Sequence, residues 1–110
     1  MTAFLLFLLL SGRQYFKVSI ADLAAGKNFH THVQVTGKVV LVKHEADGDL
    51  HIRLSDGKHW IVAECIPELP CSKPKVGETV TVQGIYRRDQ KHGNWAEVHP
   101  VERAVINLKP

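Results

Sequence analysis

The chain has 110 residues, of which 45% are hydrophobic and 23% are charged. This length predicts a single domain, and this composition excludes an intrinsically disordered chain. The formal net charge of +3 is compatible with a polyanionic partner but does not require one.

An apolar run extends from Phe4 to Leu10. It is much shorter than the roughly twenty residues that a membrane-spanning helix needs. Its length suits the apolar part of a signal peptide, although no positive charge precedes it and the small-residue cleavage site is poor. Residues 1–14 are therefore interpreted either as a signal or anchor remnant or as a packed terminus. The sequence is equally compatible with an exported or membrane-associated protein and with a cytoplasmic one. Any contact with a membrane would be made only by residues 4–10.

Residues 15–31 predict a short helical lead-in to the main domain. Ser19 is a favourable N-cap, and Asp22 stands three residues later, where it can complete the first turn. Gly26 is a suitable C-terminal stop for such a helix.

The main domain, residues 32–110, shows the hydrophobic alternation of β-strands in five places. The predicted strands are Val33–Lys43, Leu50–Leu54, His59–Cys65, Thr79–Arg87 and Trp95–His99. Gly37 divides the first strand into a half with one apolar face and a half with two, which is typical of a strand that bends around a barrel. Pro100 is predicted to end the fifth strand, and residues 101–108 to form a further short strand or helix.

The first predicted hairpin turns at residues 46–48, where Gly48 can adopt the left-handed conformation. A three-residue loop pairs Val42 with Ile52 and Val40 with Leu54. A two-residue loop would place a lysine opposite Ile52, so the apolar pattern favours the longer loop.

The second predicted hairpin turns at Asp56 and Gly57, a dipeptide typical of two-residue turns. This turn would pair Arg53 with Trp60 on the face opposite the apolar side chains. The connection after the third strand is longer, because prolines at 67, 70 and 74 exclude both a central strand and a helix interior. Together these features predict an all-β fold, a five-stranded Greek-key barrel of the OB type. An SH3-like barrel is the main alternative, and the long first strand and the position of the long connection favour the OB type.

Four segments of the main domain resemble a group of small bacterial OB-like proteins without an assigned activity. The segments are Val35–Val39, Asp47–Ile52, Ala63–Pro67 and Trp95–Val101. The resemblance covers residues 32–102, and it implies the fold and a bacterial origin rather than a particular chemistry.

A second resemblance, in layout only, is to the calcium-dependent thermonuclease family, which also uses an OB barrel. It implies Asp49 as a calcium ligand and Glu68 as the glutamate that assists attack by water. Cys65 falls at the second calcium ligand, where a thiol suits a hard cation poorly, and Trp60 falls at the position of the phosphate-binding arginine. A calcium-dependent nuclease therefore lacks two of its expected residues here.

The candidate binding face lies on the second and third predicted strands. His51, Arg53 and Trp60 alternate with the apolar positions and are predicted to point outward. Bases of a nucleic acid would stack on Trp60, and Arg53 would contact phosphate or stack as a cation. The alternative is an Arg–Trp pair that only covers the sheet. Further basic residues are predicted to extend the binding rim: Lys73, Lys75, Arg87, Arg88, Lys91 and His92.

Trp95, Glu97 and His99 share one face of the fifth predicted strand. A hydrogen-bonded Glu–His clasp that fixes the barrel is the favoured interpretation, so no metal ligand and no cofactor are predicted. A metal site that adds His51 and Glu64 is the alternative.

Cys65 and Cys71 stand six positions apart and are either two small thiols or a disulfide. Motifs such as a phosphate-binding loop or a nucleophile elbow do not occur in the sequence, so no catalytic residue is predicted. The leading hypothesis is a non-catalytic module that binds single-stranded nucleic acid. The alternative is an exported or membrane-tethered accessory domain that binds protein or glycan.

Overall fold

The computed structural model describes residues 12–107, so the predicted signal or anchor run at residues 4–10 lies outside the described part of the chain. The elements in order are β1 (Phe16–Lys17), α1 (Ile20–Ala24), β2 (His32–His44), β3 (Leu50–Ser55), β4 (Trp60–Cys65), β5 (Thr79–Asp89) and β6 (Trp95–Asn107). Between residues 12 and 107, no helix has the length and the apolar character needed to cross a membrane.

Five of the strands close into a barrel. They follow the order β2, β3, β4, β6 and β5, and β5 pairs with the first half of β2 to complete the circle. Most neighbours are antiparallel, whereas β4 and β6 run parallel. The predicted five-stranded OB-type barrel is therefore confirmed, and β1 adds a short parallel strand beside β2.

The barrel interior is built by strand alternation. Leu50, Ile52 and Leu54 of β3 are buried together with Ile61 and Ala63 of β4. Residues at every second position of a strand share a face, so these positions form a continuous apolar surface that must be buried.

The helix α1 packs against the barrel through Ile20 and Leu23, which both belong to the core. Its first turn begins as the sequence predicts, because the Ser19 hydroxyl accepts a hydrogen bond of 3.0 Å from the backbone N–H of Asp22. Gly37 of β2 permits this approach. An added Cβ at Gly37 would clash with the end of the Ile20 side chain.

The first hairpin is largely as predicted. Val42 pairs with Ile52, and Gly48 has a φ of 95° in a three-residue loop. The predicted pairing of Val40 with Leu54 is wrong, because Leu54 pairs with Val39 and Val40 forms a bulge. The bulge lies where β2 leaves β5 and begins to pair with β3, a change of partner that bends the strand.

The second hairpin has a longer loop than predicted. Arg53 pairs with Val62 instead of Trp60, so the register is shifted by two residues. The Asp56 carboxylate accepts hydrogen bonds from the backbone N–H groups of residues 58 and 59, which widens the loop. Because strand alternation has a period of two, this shift leaves every side chain on its predicted face.

The predicted end of the fifth strand at Pro100 is also wrong, since β6 continues to Asn107. Pro100 lies in an irregular part of the ladder, between the pairs Tyr86–Val98 and Gly84–Val101. A proline is tolerated there because a bulge does not need its missing N–H group.

Cys65 and Cys71 form a disulfide, with a Cα–Cα distance of 6.1 Å. The disulfide alternative therefore describes this pair, and the two-thiol interpretation is wrong. The bond ties the end of β4 to the long connection that leads to β5.

Candidate nucleic-acid interface

The candidate site lies on the side of β3, β4 and β6 that is turned away from the core, here called the outer face. The register aligns Arg53, Val62 and Glu97 across the three strands. The parallel pairing of β4 with β6 also places the first residues of these strands, Trp60 and Trp95, side by side. Two tryptophans thus meet at one end of the outer face.

The aromatic cleft is formed by Arg53, Trp60, Trp95 and His92. The Arg53 guanidinium carbon lies 4.0 Å from the centre of the Trp60 ring and 6.0 Å from that of Trp95. The two indole rings are 5.7 Å apart at an angle of 60°, and the His92 ring stacks beside Trp95 with a centre distance of 6.4 Å. Trp60 nevertheless keeps 38% of its surface exposed, so its ring remains accessible to a ligand.

The cleft has a volume of about 470 Å³ and an edge with basic character. Lys58 and His59 lie on its side nearest the second hairpin, and Ala24 of α1 borders it from below. An elongated site with an aromatic wall and cationic groups can accept planar, negatively charged ligands.

Trp95 is held in place by Glu97. The indole Nε1 donates a hydrogen bond of 2.7 Å to Glu97 Oε2, and Arg87 Nε donates one of 2.9 Å to Glu97 Oε1. His99 instead contacts Asp49, with 3.2 Å between Nε2 and Oδ2. Trp95 and Glu97 of the predicted clasp are therefore in contact, but the predicted Glu97–His99 hydrogen bond is wrong, because Trp95 and Arg87 donate to the two oxygens of Glu97.

The β5–β6 turn positions His92 at the cleft. Asp89 Oδ2 lies 2.8 Å from His92 Nδ1, and Asp89 Oδ1 accepts hydrogen bonds from the backbone N–H groups of Lys91 and His92. Burial alone would raise the pKa of Asp89, but these hydrogen bonds outweigh it and lower the pKa to about 2. The carboxylate is thus ionised at neutral pH and fixes the turn.

His51 does not reach the surface as predicted. Although it lies on the outer face, it is only 2% exposed. Its ring meets the edge of Trp95 at a centre distance of 6.2 Å. His51 is therefore a buried support beneath the cleft and cannot stack with a base.

A second cleft of about 430 Å³ adjoins the first and shares Arg53, His92 and Trp95 with it. Five of its lining residues form what is here called the carboxylate–histidine cluster: Glu45, Asp49, His51, Glu64 and His99.

Two glutamates of the cluster titrate differently. Burial and the neighbouring Glu64 carboxylate raise the pKa of Glu45 above its ordinary value. Burial opposes ionisation of Glu64 as well, but its interactions with His51 and Glu45 outweigh this effect and lower its pKa. Glu64 therefore carries the charge of the pair more readily than Glu45.

The predicted basic rim is brought to the site only in part. Arg87 lies at the second cleft but is paired with Glu97. Arg88 is wrongly predicted as a ligand-binding residue, because its guanidinium donates to the carbonyls of Leu23 and Ala24 at the end of α1. Lys91 lies in an adjacent groove with both arginines.

Lys73 and Lys75 are exposed on the long connection, but neither lines the aromatic cleft or the second cleft. The structure therefore separates them from the residues with which they were grouped. Lys58, and not Lys73 or Lys75, is the lysine that lines the aromatic cleft. The sequence could have indicated this role of Lys58, because it directly follows the Asp56-Gly57 turn. A turn between the two strands that carry Arg53 and Trp60 must border the binding site.

Trp95 was not predicted as part of the binding face, whereas His92 was predicted for its basic rim and does line the cleft. The alternation of β6 placed Trp95 on an outward side, but its approach to Trp60 depends on the parallel pairing of strands that are thirty residues apart in sequence. Hairpin rules describe only neighbouring strands, so they could not supply this contact.

The residues implied by the thermonuclease resemblance do not assemble. The sulfur of Cys65 is bonded to Cys71 and has no thiolate to offer a cation. Glu68 lies with Cys71 in a separate groove beside Val101 and Glu102, away from Asp49. This arrangement gives no support to calcium-dependent cleavage.

No family model and no curated protein matches this chain. Similar solved structures include a Leishmania major Friedlin protein assigned as an aspartyl-tRNA synthetase, with a TM-score of 0.67 and 11% identity over 86% of this chain and 21% of that one. They also include asparaginyl-tRNA synthetase from Pyrococcus horikoshii, with a TM-score of 0.67 and 18% identity over 84% of this chain and 23% of that one. The same enzyme complexed with asparaginyl-adenylate matches equally well over 22% of its length. The chain thus spans less than a quarter of each of these proteins, and the likeness shows a shared fold.

Proposed function

We propose that this OB-type domain is a non-catalytic module that binds single-stranded nucleic acid in the aromatic cleft. The observation that carries the proposal is the convergence of Trp60, Trp95 and Arg53 at one accessible site. The strand face of OB barrels is a common position for oligonucleotide binding.

The energetic basis is stacking on a prearranged platform. Arg53 lies over the Trp60 ring, and Glu97 fixes Trp95 by a hydrogen bond, so little side-chain entropy is lost when a ligand binds. Each base stacked on an aromatic ring contributes about 1–3 kcal/mol. The exposed part of the Trp60 ring, beside Trp95, can accept an unpaired base, whereas a duplex keeps its base faces covered.

The charge around the cleft favours a polyanion. Arg53 and Lys58 are cationic, whereas His59 and His92 are each paired with a carboxylate, that of Asp56 or Asp89. The similar solved structures give further support, because the names of both enzymes include tRNA. This support is an analogy of fold, and the cleft itself is the stronger argument.

The decisive experiment measures the affinity of a labelled oligothymidylate by fluorescence anisotropy. We expect Trp60→Ala to weaken binding about tenfold, as loss of one stacked base requires, and Trp60→Phe to retain most of the affinity. Leu69→Ala is the matched control, since Leu69 is also an exposed apolar residue but lies in a different groove. Equal binding by the Trp60→Ala variant and the wild type would refute the proposal.

A pair of lysine variants tests which basic residues take part. Lys58→Ala should weaken oligonucleotide binding severalfold, whereas Lys75→Ala should not, because only Lys58 lines the cleft. With two or three phosphates contacted, the logarithm of the affinity should fall with the logarithm of the salt concentration with a slope of about −2. A salt-independent affinity, or a larger effect of Lys75→Ala, would contradict this site.

A glycan is the second candidate ligand, and the Cys65–Cys71 disulfide is the observation that favours it. Disulfides persist mainly in oxidising compartments, and the sugar-binding faces of OB barrels also use aromatic residues. Sequencing the N-terminus of the protein isolated from cells, together with anisotropy competition by oligosaccharides, separates the two candidates. Competition by oligosaccharides at a lower concentration than by oligonucleotides would favour the glycan.

A further inference from the structure

The carboxylate–histidine cluster contains a triad that nothing in the proposed function uses. Glu45 follows β2, His51 lies in β3 and Glu64 lies in β4, where His51 and Glu64 are direct cross-strand partners. One ligand atom from each of the three side chains lies within 4.8 Å of the other two.

The buried members of this triad are not satisfied by the protein. His51 is 2% exposed and Glu64 is 7% exposed. Neither ring nitrogen of His51, nor Oε2 of Glu64, has a hydrogen-bond partner among residues 12–107. Buried polar groups are almost always hydrogen-bonded, so an imidazole with two open nitrogens beside an open carboxylate oxygen indicates a missing ligand.

The spacing of the triad suits a cation. His51 Nδ1 lies 3.8 Å from Glu64 Oε1 and 3.9 Å from Glu45 Oε2. These distances are too long for hydrogen bonds. Ligand atoms bound about 2.0–2.1 Å from a tetrahedral zinc ion lie about 3.4 Å apart, so both of these distances are within about half an ångström of that spacing.

We propose that Glu45, His51 and Glu64 bind one divalent cation of the zinc class. The mixed nitrogen and oxygen donors suit zinc and its transition-metal neighbours, whereas calcium and magnesium prefer oxygen ligands alone. Two carboxylates balance the charge of the ion. Glu45 is 32% exposed at its side chain, so the fourth position faces the second cleft and is open to water or to a ligand.

Asp49 and His99 form a second group with Glu64 beside the triad, but they already have each other as partners. They pair with each other through the contact of 3.2 Å between His99 Nε2 and Asp49 Oδ2. Both also lie within 4.8 Å of Glu64 at their ligand atoms. Because Asp49 and His99 satisfy each other and His51 has no hydrogen-bond partner in the described part of the chain, the open ligand position lies at Glu45, His51 and Glu64 rather than at this neighbouring group.

This inference does not depend on nucleic-acid binding and is tested with the metal alone. Protein treated with EDTA and dialysed is titrated with zinc by calorimetry, and with cobalt by visible absorption. We expect one zinc ion per chain, a higher melting temperature with zinc, no comparable effect of calcium or magnesium, and the absorption bands of four-coordinate cobalt. Absence of stoichiometric zinc binding by the folded wild type would overturn the proposal.

The variants assign the ligands. Glu45→Gln, Glu64→Gln and His51→Gln should each weaken zinc binding tenfold or more, with circular dichroism confirming that each is folded. Glu45 is partly exposed, so its variant remains a valid test even if the two buried substitutions prevent folding. His59→Ala is the matched control, because His59 is an exposed histidine paired with a carboxylate outside the cluster. Equal zinc affinity in Glu45→Gln and the wild type, or loss of binding only in His59→Ala, would refute the assignment.

Discussion

Glu97 is the residue on which the order of the aromatic cleft depends most. Its side chain is 1% exposed, and its two carboxylate oxygens separately accept hydrogen bonds from Trp95 and Arg87. A buried carboxylate is stable only when such donors replace the water that it loses. The same residue therefore fixes an indole of the cleft and joins β5 to β6.

We expect Glu97→Gln to lower the free energy of unfolding by about 2–3 kcal/mol, because the amide group can accept only one of the two hydrogen bonds. Urea denaturation followed by circular dichroism measures this change. Glu68→Gln is the control, since Glu68 is an exposed glutamate of the long connection and should change stability little. A loss as small as that of the control would show that the carboxylate is not needed.

Asp89 gives a prediction about acid sensitivity. Its pKa of about 2 in the folded protein lies below the value of about 3.9 expected in the unfolded chain. The ionised carboxylate therefore stabilises the fold fully above about pH 4, and this contribution is lost as the pH falls towards 2. Melting temperatures measured across this range should fall less steeply for Asp89→Asn than for the wild type. Equal slopes for the two proteins would contradict the low pKa.

For single residues, strand alternation correctly predicted the face of the sheet on which each side chain lies, but not how deeply that side chain is buried. Arg53 and Trp60 lie on the outward side, as expected. His51 lies on the same side, but it is buried and in contact with Trp95. Depth depends on which side chains from other strands lie above a residue, and a single strand does not contain that information.

The helix α1 depends on Arg88 at its C-terminal end. The last carbonyls of a helix have no partner within it, and the Arg88 guanidinium donates to those of Leu23 and Ala24 at 3.2 and 2.9 Å. The arginine thus attaches α1 to β5, next to the cleft that Ala24 borders.

Arg88→Ala should lower stability by about 1–2 kcal/mol, since two hydrogen bonds from a charged donor are lost. It should also increase hydrogen exchange in α1, most clearly at the amide of Leu23, which donates to Ser19. Arg103→Ala is the matched control, because Arg103 is an exposed arginine that pairs with Gln83 in the middle of the β5–β6 ladder, away from α1. If exchange in α1 is the same in both variants, Arg88 does not hold the helix.

Elements with a local chemical signal were predicted well. The Ser19 cap and the left-handed Gly48 are determined by their immediate neighbours, and both are observed. The turn at Asp56 was predicted too short, because the same carboxylate that suggests a tight turn also binds two N–H groups of a wider one. Pro100 was predicted to end β6, because its place in an irregular ladder depends on the distant Gly84.

For the whole molecule, the disulfide links the barrel to its longest connection. Closing a loop with a sequence separation of six residues reduces the entropy of the unfolded chain and stabilises the fold by about 2 kcal/mol. A chain with Cys65→Ala and Cys71→Ser should be less stable by this amount, and a reducing agent should destabilise the wild type similarly. The reducing agent should not change the stability of the double variant. If it does, its effect on the wild type has a cause other than the disulfide.

The barrel as a whole was predictable because each strand carries its own alternating pattern and each turn its own glycine. The candidate site was predictable only in part, since Arg53 and Trp60 are neighbours through a hairpin but Trp95 joins them through the parallel β4–β6 pair. The carboxylate–histidine cluster likewise combines residues from β3, β4, β6 and the loop that follows β2. Contacts between distant segments depend on how the barrel closes, which no local pattern contains.

The contact between the two indoles also gives the protein an intrinsic optical signal. Rings 5.7 Å apart and inclined at 60° share their electronic excitation, which produces a pair of ultraviolet circular-dichroism bands of opposite sign. Trp60→Phe should abolish this couplet without unfolding the barrel, because Glu97 keeps its hydrogen bond from Trp95. Its amplitude can therefore report when the two rings separate, even while the strands around them remain intact.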